Sequence, residues 1–385
     1  MRVLVIDPNA ARLSELGKAE ALAACGLSVT LLAPAAWREN YRRLSAPAAW
    51  SGSYRLVRGF ALGKPPNRAV LLGGLAEALR PAPEAILALS DENFWLTGQA
   101  LLLRRLLAPR ALFVCHSWRN LCFGRRWHPQ PSLALYAADT WLERRVFAAS
   151  AAIIARNRAA AGVLRQRGFR GPVVYIPWAV DTHHFCPAAG PPPPARPYTV
   201  GFVGRFSPEK GLDTLMAASG LMRSPHRLVL VGGGPLDGLV RERAARLGPQ
   251  RVEVIPLVDQ RDMPELYRRL DVLVLPARRA GFELEQFGRV LAEAMACGVA
   301  VAGGDAGAVP EVIGPAGLVF PAGDAPALAA ALDRLAEPGP RAELAARGLA
   351  RARERFSWPA WALATANLLE TLAAGRRPGA HLEAW

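Results

Sequence analysis

Two glutamates stand eight positions apart in the stretch E-Q-F-G-R-V-L-A-E, at Glu285 and Glu293. Gly288 frees the chain to turn between them, and the apolar run that follows repeats with the period of a helix. Glu293 is therefore expected about one turn inside a helix whose N-terminus points towards Glu285. The unpaired N–H groups of a first helical turn form a natural anion site. A ligand with hydroxyls at both ends and phosphate in the middle fits this spacing, and nucleotide sugars have that plan.

A second candidate phosphate site is the loop G-R-F-S-P-E-K-G, which runs from Gly204 to Gly211. The apolar run before it predicts a buried strand, and a helical pattern starts after it. A strand, a glycine-flanked loop and a helix is the usual order for cradling phosphate, although the spacing differs from that of a Walker loop. Arg205 and Lys210 bracket the loop and can supply two cations to a diphosphate, Arg205 through its planar fork and Lys210 as a point charge.

The segment from Glu285 to Gly314 resembles the donor-binding core of glycosyltransferase family 4. The resemblance is carried by the Glu-x7-Glu motif at the start of the segment and by the Gly-Ala-Val-Pro-Glu turn near its end. It implies a nucleotide-sugar donor whose diphosphate binds Arg205 and Lys210. It also implies that Glu285 holds the donor-sugar hydroxyls and that Glu293 holds the ribose hydroxyls.

The same resemblance places Gly204 in the donor site and implies that the backbone amides of Phe287 and Gly288 contact the sugar or the phosphate. Arg205, Lys210 and the helix N-terminus would stabilise the leaving diphosphate, so neither a metal nor another cofactor is expected. We expect transfer of a hexosyl group from a UDP-, GDP- or ADP-sugar to a hydroxyl of a glycan, a lipid-linked saccharide or a small molecule. No carboxylate nucleophile is evident, so the leaving phosphate is expected to act as base, with retained configuration.

Short apolar strands alternate with longer helical patterns along the chain, which favours parallel sheets covered on both faces. The predicted fold class is α/β, with two Rossmann-like domains facing across a cleft, and it is similar to the glycosyltransferase B fold. The predicted strands are 3–6, 29–32, 54–57, 85–89, 111–115, 152–154, 173–175, 198–203, 227–231, 252–255, 272–275, 299–302 and 318–320.

The predicted domains are an N-terminal acceptor domain over residues 1–186 and a C-terminal donor domain over residues 198–355. The proline-rich stretch 187–197 is predicted to be the hinge between them. Residues 356–385 are expected to form a helix that crosses back to the first domain, followed by a tail. Just before the hinge, the adjacent His183 and His184 lack an evident third ligand, so no metal site is expected there.

Four residues of the first half are candidates for the acceptor site and the chemistry. His116 lies just beyond a buried strand, where ligand-facing loops begin, and the resemblance implies a histidine here near the donor sugar and a part in catalysis with Arg205, Lys210 and Glu285.

Asp91 and Glu92 follow an earlier strand and could bind an acceptor hydroxyl or cap the next helix. Asn9 lies in the loop D-P-N-A-A-R, where family members usually show paired glycines. Because alanine restricts the close approach of backbone to ligand that glycine permits, the acceptor geometry is expected to differ.

The chain of 385 residues carries a formal net charge of +15. Such a charge suits phosphorylated ligands, nucleic acid or an anionic membrane face. The arginines are spread along the chain without a basic block, which argues against nucleic acid as a partner. Five cysteines without zinc spacing, no leader pattern and no apolar run of transmembrane length predict a cytoplasmic protein. Peripheral contact with the inner face of an anionic membrane is left open.

Three alternatives to a transferase remain open. A nucleotide-sugar 2-epimerase of the same fold would convert the donor without an acceptor, and incubation of UDP-sugars alone would reveal the epimer. A non-catalytic nucleotide-sugar-binding protein would bind the donor and never turn it over. A nucleic-acid-binding protein would show binding to random DNA with a steep salt dependence.

Overall fold

The computed structural model describes residues 1–12, 15–39, 42–47, 50–64, 68–121, 132–190, 197–281 and 283–378. The chain divides into two compact units. Unit 1 comprises Met1–Pro177 and Trp358–Trp385, and unit 2 comprises Trp178–Ser357.

The strands of the described residues are β1 (Arg2–Ile6), β2 (Ser28–Pro34), β3 (Trp37–Glu39), β4 (Arg42–Leu44), β5 (Arg55–Lys64), β6 (Arg68–Leu72), β7 (Ala85–Ala88), β8 (Leu112–Ser117), β9 (Ala152–Ala155), β10 (Val173–Tyr175), β11 (Tyr198–Arg205), β12 (His226–Gly233), β13 (Val252–Ile255), β14 (Val272–Leu275), β15 (Ala300–Gly304) and β16 (Leu318–Phe320). The helices are α1 (Gly17–Ala24), α2 (Leu75–Ala78), α3 (Trp95–Leu107), α4 (Leu133–Ala149), α5 (Arg158–Gln166), α6 (Leu212–Leu221), α7 (Asp237–Leu247), α8 (Met263–Arg268), α9 (Arg289–Ala296), α10 (Val309–Ile313), α11 (Ala325–Ala336), α12 (Pro338–Arg355) and α13 (Trp358–Ala373).

The sheet of unit 1 has the strand order β10-β9-β8-β7-β1-β2-β5-β6. Its neighbours are parallel except β5 and β6, which run antiparallel. A parallel strand covered on both faces must be apolar throughout, and every residue of β7 and β9 is buried. The strand order reverses between β1 and β7, so the loops after these two strands border one crevice.

The sheet of unit 2 has the order β13-β12-β11-β14-β15-β16, and all its neighbours are parallel. Alternate residues of the strands feed two cores: Leu275 packs with α9 on one face, and Val274 packs with α6 and α11 on the other. The order reverses between β11 and β14, which places a crevice at their carboxyl ends. The two loops that carry the candidate donor residues follow these two strands.

Two parallel-sheet α/β units confirm the predicted fold class. Every predicted strand is present with ends shifted by at most two residues, except that β5 continues to Lys64, well beyond the predicted end at residue 57. One edge departs from the parallel arrangement, because β6 pairs antiparallel with β5. Neither β6 nor the separate antiparallel pair of β3 and β4 was predicted. Such short strands at an edge lack the continuous apolar run that marks a buried parallel strand.

The boundary between the units falls at Pro177 and Trp178, ahead of the stretch 187–197 that was predicted as the hinge. Residues after Trp178 already belong to unit 2, because Val180 donates its N–H to the carbonyl of Phe356 at 2.7 Å and Phe185 is buried in that core. Residues 191–196 of the proline-rich stretch lie outside the described residues.

The C-terminal helix α13 belongs to unit 1. It packs on α1, where the Lys18 ammonium lies 5.3 Å from the centre of the Trp358 ring. Among the described residues, none of the helices has both the length and the apolar character needed to cross a membrane.

Gly211→Ala is expected to lower the free energy of unfolding by at least about 2 kcal/mol. Gly211 has φ of 65°, and a Cβ there would lie 1.8 Å from the carbonyl oxygen of Pro276. The matched control is Gly220→Ala on α6, where a Cβ meets nothing within 4 Å and alanine favours the helix. Urea denaturation measures both variants, and equal stabilities would contradict the close approach at Gly211.

Candidate active site

The floor of the crevice in unit 2 is made of backbone. At the carboxyl end of β12, a Cβ on Gly232 would lie 1.9 Å from the carbonyl oxygen of Gly204 on β11. Phe206 donates its N–H to Gly233 at 3.0 Å, so the two strands stay in contact as they leave the sheet. The run of glycines from Gly232 to Gly234 escaped the sequence analysis, although V-G-G-G-P after a buried strand was a readable signal.

The loop that carries Arg205 and Lys210 is fastened to the end of β14. Gly211 packs against the carbonyl of Pro276, as described above. Arg278, two residues further on, donates from Nε to the carbonyl of Pro208 at 3.1 Å and pairs with Asp213 at 3.0 Å. The two basic residues are therefore presented by a loop held at both its middle and its end.

Lys210 forms an ion pair with Glu285, with 2.5 Å between Nζ and Oε2. The structure thus brings together two residues that the sequence separates by 75 positions. Arg205 is exposed at the end of β11, and its guanidinium has no hydrogen bond or ion pair to another described residue. An exposed cation on the same loop as a second cation, at the carboxyl edge of a sheet, suits an anionic ligand.

Glu285 is held by its backbone as well as by its side chain. Its carbonyl accepts the N–H of Ala308 at 3.0 Å, and Oε1 accepts the N–H of Gly288 at 3.0 Å and that of Phe287 at 3.5 Å. Burial by itself raises the pKa of this carboxyl, but Lys210 and the two amides outweigh it, so the pKa is lowered.

The backbone amides that were predicted to contact the donor therefore face a side chain of the protein in this structure. Phe287 and Gly288 lie at the expected place, at the start of α9. A donor group that uses these amides has to share them with the Glu285 carboxylate or displace it.

Glu293 lies on α9 and is buried. Its Oε1 accepts from Gln260 at 2.8 Å and pairs with Arg289 at 3.1 Å, while Oε2 accepts the hydroxyl of Tyr267 at 2.6 Å. Burial, followed by the charge of Glu293, raises the pKa of Tyr267 well above its usual range, so the phenol stays a donor. The predicted contact with ribose stays a prediction, and it would have to use the remaining lone pairs of this carboxylate.

Sequence reasoning missed the three partners of Glu293. Arg289 stands four positions before it on the same helix, a spacing that predicts an ion pair. Gln260 and Tyr267 come from a different part of the chain, and no local pattern points to them.

The candidates of the first half meet at the carboxyl edge of the unit 1 sheet. Asn9 follows β1, Asp91 and Glu92 follow β7, and His116 lies on β8. Asn9 sits in a single 3₁₀ turn, Pro8–Ala11, where its N–H donates to the side chain of Asp7 at 2.8 Å.

His116 is fully buried, and neither ring nitrogen has a hydrogen-bond partner among the described residues. Burial, then the charges of Arg156 and Lys18, hold the pKa of His116 well below its usual range. The imidazole is therefore neutral near pH 7, with one nitrogen able to donate and the other able to accept. Two unused polar atoms in a buried crevice suit contact with a ligand.

Asp91 and Glu92 differ sharply in their surroundings. Burial, then the charge of Glu92, raises the pKa of Asp91 to about 7, while its Oδ1 accepts the N–H of Trp118 at 2.7 Å. Glu92 accepts from Nε of Arg119 at 2.8 Å, and Arg119 pairs in turn with Glu143 at 2.6 Å. Neither carboxylate caps α3, which begins without a side-chain cap.

The two adjacent histidines before the proline-rich stretch have separate partners. His184 contacts the carbonyl of Gln260 through Nε2 at 3.1 Å, and His183 donates its backbone N–H to Asp181 at 2.9 Å. Among the residues that the structure describes, no group of three or more histidine, cysteine or carboxylate side chains is placed to hold a metal ion.

Known proteins match both halves of the chain. The family model Glycosyltransferase Family 4 matches residues 17–184, and the model Glycosyl transferases group 1 matches residues 197–338. The D-inositol 3-phosphate glycosyltransferase of Salinispora arenicola is 31% identical over 319 residues, which cover 74% of this chain and 68% of that relative.

Two further relatives are matched over less than two thirds of their own length. The Salinispora tropica D-inositol 3-phosphate glycosyltransferase is 30% identical, and the match covers 74% of this chain and 63% of that protein. The GDP-mannose-dependent monoacylated alpha-(1-6)-phosphatidylinositol monomannoside mannosyltransferase of Corynebacterium glutamicum is 30% identical over 51% of this chain and 56% of its own length.

Solved structures share the fold. Sucrose-phosphate synthase from Thermosynechococcus elongatus has a TM-score of 0.68 at 24% identity, covering 97% of this chain and 100% of that one. Anabaena HepE, solved in complex with UDP, has a TM-score of 0.65 at 20% identity, covering 96% and 100%. The two family models thus span every strand of the two sheets except β1, and the chain belongs to glycosyltransferase family 4.

Proposed function

We propose that this protein transfers a sugar from a nucleotide-sugar donor to a hydroxyl group of an acceptor, with retained configuration and without a metal ion. The observation that carries the proposal is the crevice of unit 2, where one loop presents both the exposed Arg205 and the Lys210 of the Lys210–Glu285 ion pair. Two cations beside a carboxylate match a ligand whose diphosphate is followed by a hydroxyl-bearing sugar.

The diphosphate is the part of the donor that needs both cations. Charge develops on its bridging oxygen as the bond to the sugar breaks, and fixed cations stabilise that charge without reorganising. Lys210 is already positioned by Glu285, and Arg205 is free to swing onto the phosphates. The Glu285 carboxylate, with its lowered pKa, stays ionised and can accept hydrogen bonds from sugar hydroxyls.

A donor containing UDP or GDP is supported by the known proteins. HepE was solved with UDP and with UDP-glucose, and the Corynebacterium relative is named for GDP-mannose. The relatives' names also include inositol phosphate and a phosphatidylinositol mannoside as acceptors, so we propose a polyol or a lipid-linked saccharide here. His116 and Asp91 are the side chains of unit 1 that we assign to the acceptor and the reacting sugar.

A glycosyl-enzyme intermediate is not part of the proposal. Glu285 is engaged with Lys210 and two amides, and Glu293 with three side chains, so neither carboxylate is poised as a nucleophile. The departing phosphate oxygen takes the acceptor proton on the face that it leaves. An α-linked donor then gives an α-linked product.

Proton NMR of the first-formed product tests the proposed function. Donor panels of UDP-, GDP- and ADP-sugars are incubated with and without inositol phosphate or a lipid-linked saccharide, and the anomeric coupling of the product is read. An α-linked product that requires the acceptor is expected. A β-linked product would show that a side chain such as Asp91 acts as the base instead of the leaving phosphate. An epimer formed without acceptor would show that the protein is an epimerase and not a transferase.

Arg205→Ala and Lys210→Met are each expected to lower kcat/KM by about a hundredfold to ten-thousandfold, because each removes a charge that strengthens its contact in the transition state. Arg334→Ala is the matched control, since Arg334 is an exposed arginine in unit 2 outside the crevice. Steady-state kinetics with saturating acceptor measure the three variants. Near wild-type turnover in either Arg205→Ala or Lys210→Met would show that the diphosphate does not bind at this site.

Turnover is expected to persist in excess EDTA, since Arg205 and Lys210 take the role of a divalent cation at the diphosphate. The rate is measured before and after chelation, and again after addition of magnesium or manganese. A rate that vanishes with EDTA and returns with the metal would show that the cations only supplement an ion.

A further inference from the structure

The antiparallel edge of unit 1 has an outward face that is apolar. Along β5, Val57, Gly59 and Ala61 turn inward, and the alternate residues Arg58, Phe60 and Leu62 turn outward. Phe60 is 72% exposed and Leu62 is 58% exposed. A strand with one solvated face normally carries polar residues there, so two large apolar side chains at successive outward positions need an explanation.

The partner strand extends this apolar face. Phe60 pairs with Leu72 and Leu62 pairs with Val70, so the four side chains stand on the same side of the hairpin. Leu72 is half exposed, and Val70 is partly exposed. Directly opposed side chains on an antiparallel pair lie close together, so these residues form one continuous patch.

Helix α3 continues the patch beyond the sheet edge. Gln99 of α3 bonds both backbone groups of Leu71, at 2.9 Å and 2.7 Å, so the helix runs along the outer edge of β6. Leu102 and Leu106 follow Gln99 at spacings of three and seven, which keeps them on the same side of the helix. Both are exposed, at 58% and 68%.

The charged residues of the hairpin and the helix that carry this patch are all basic. The hairpin segment 55–72 contains four basic residues and no acidic one, and helix α3 contains two basic residues and no acidic one. Arg58 on β5 and Arg105 on α3 are exposed. Apolar side chains among cations, on a chain with a net charge of +15, match a surface of acyl chains and anionic headgroups.

We propose that Phe60, Leu62, Val70, Leu72, Leu102 and Leu106 form a docking surface by which unit 1 binds an anionic lipid bilayer. The apolar side chains enter the boundary between headgroups and acyl chains, while Arg58 and Arg105 contact the lipid phosphates. A protein partner with an acidic surface fits the charge but not six apolar side chains in a row. The proposal concerns where the protein works and is independent of the sugar that it transfers.

Co-sedimentation of the full chain with vesicles tests the docking surface. Vesicles of equal amounts of phosphatidylcholine and phosphatidylglycerol are expected to bind the protein, and vesicles of phosphatidylcholine alone are expected to bind it weakly. The double variant Phe60→Ser with Leu62→Ser should lower the partition coefficient at least about tenfold, because it removes two large apolar groups from the lipid boundary. Leu221→Ser with Leu257→Ser, comparably exposed but in unit 2, should bind like the wild type.

A second pair of double variants distinguishes the charge beside the docking surface from the net charge of the chain. Arg58→Glu with Arg105→Glu should abolish binding to the anionic vesicles, while Arg334→Glu with Arg353→Glu changes the net charge equally and should leave most of the binding. Equal losses in both pairs would assign the binding to diffuse charge and overturn the proposal.

Unchanged melting temperatures show that the variants are folded. Sedimentation velocity without lipid tests whether a second copy of the chain covers the surface instead of a bilayer. A dimer that dissociates in the Phe60 and Leu62 variant, together with no binding to either vesicle, would show that the surface joins two copies and would also overturn the proposal.

Discussion

The ion pair between Lys210 and Glu285 is the contact on which the crevice of unit 2 depends. It joins the loop after β11 to the segment after β14, across the point where the strand order reverses. Both side chains are mostly shielded from water, at 25% and 12% exposure, so either charge alone would be poorly solvated. The pair therefore fixes two loops, and Lys210 lowers the pKa of the Glu285 carboxyl. A ligand that adds phosphate beside Lys210 and hydroxyls beside Glu285 can use both charges without first creating them.

The crevice of unit 1 differs from that of unit 2 in how deeply its charged side chains are buried. It holds several ionisable side chains that are almost entirely buried, among them Asp7, Lys18 and Arg156. Lys18 lies between Asp7 at 3.0 Å and Glu15 at 2.5 Å, so its charge is compensated on two sides. Burial lowers the pKa of Arg156 to about 10, despite the attraction of nearby carboxylates. In this field His116 remains neutral and Asp91 changes its charge near neutrality, so the crevice of unit 1 offers polar groups that do not carry a fixed full charge.

The sequence predicted the strands well because parallel strands inside an α/β unit are short, apolar and unbroken, as in V-L-V-L of β14. It also identified Glu285 and Lys210, whose spacing relative to a strand or a helix is local. Their pairing across 75 positions could not be predicted, since it depends on which strands become neighbours. The same holds for Tyr267 and Gln260 around Glu293. Proline content marked 187–197 as a hinge, yet the packing of Phe185 and the bond of Val180 to Phe356 assign the preceding segment to unit 2.

The side chain of Gln99 has a consequence for solubility. An outermost strand with free N–H and C=O groups is a template on which another chain can add a strand, and an apolar face next to it would strengthen that addition. The Gln99 amide bonds both backbone groups of Leu71, as a peptide group of another strand would do. It occupies the place of the next strand with a single side chain. The protein can thus keep an apolar outer face on β5 and β6 while the backbone of Leu71, on this edge of the sheet, is already paired.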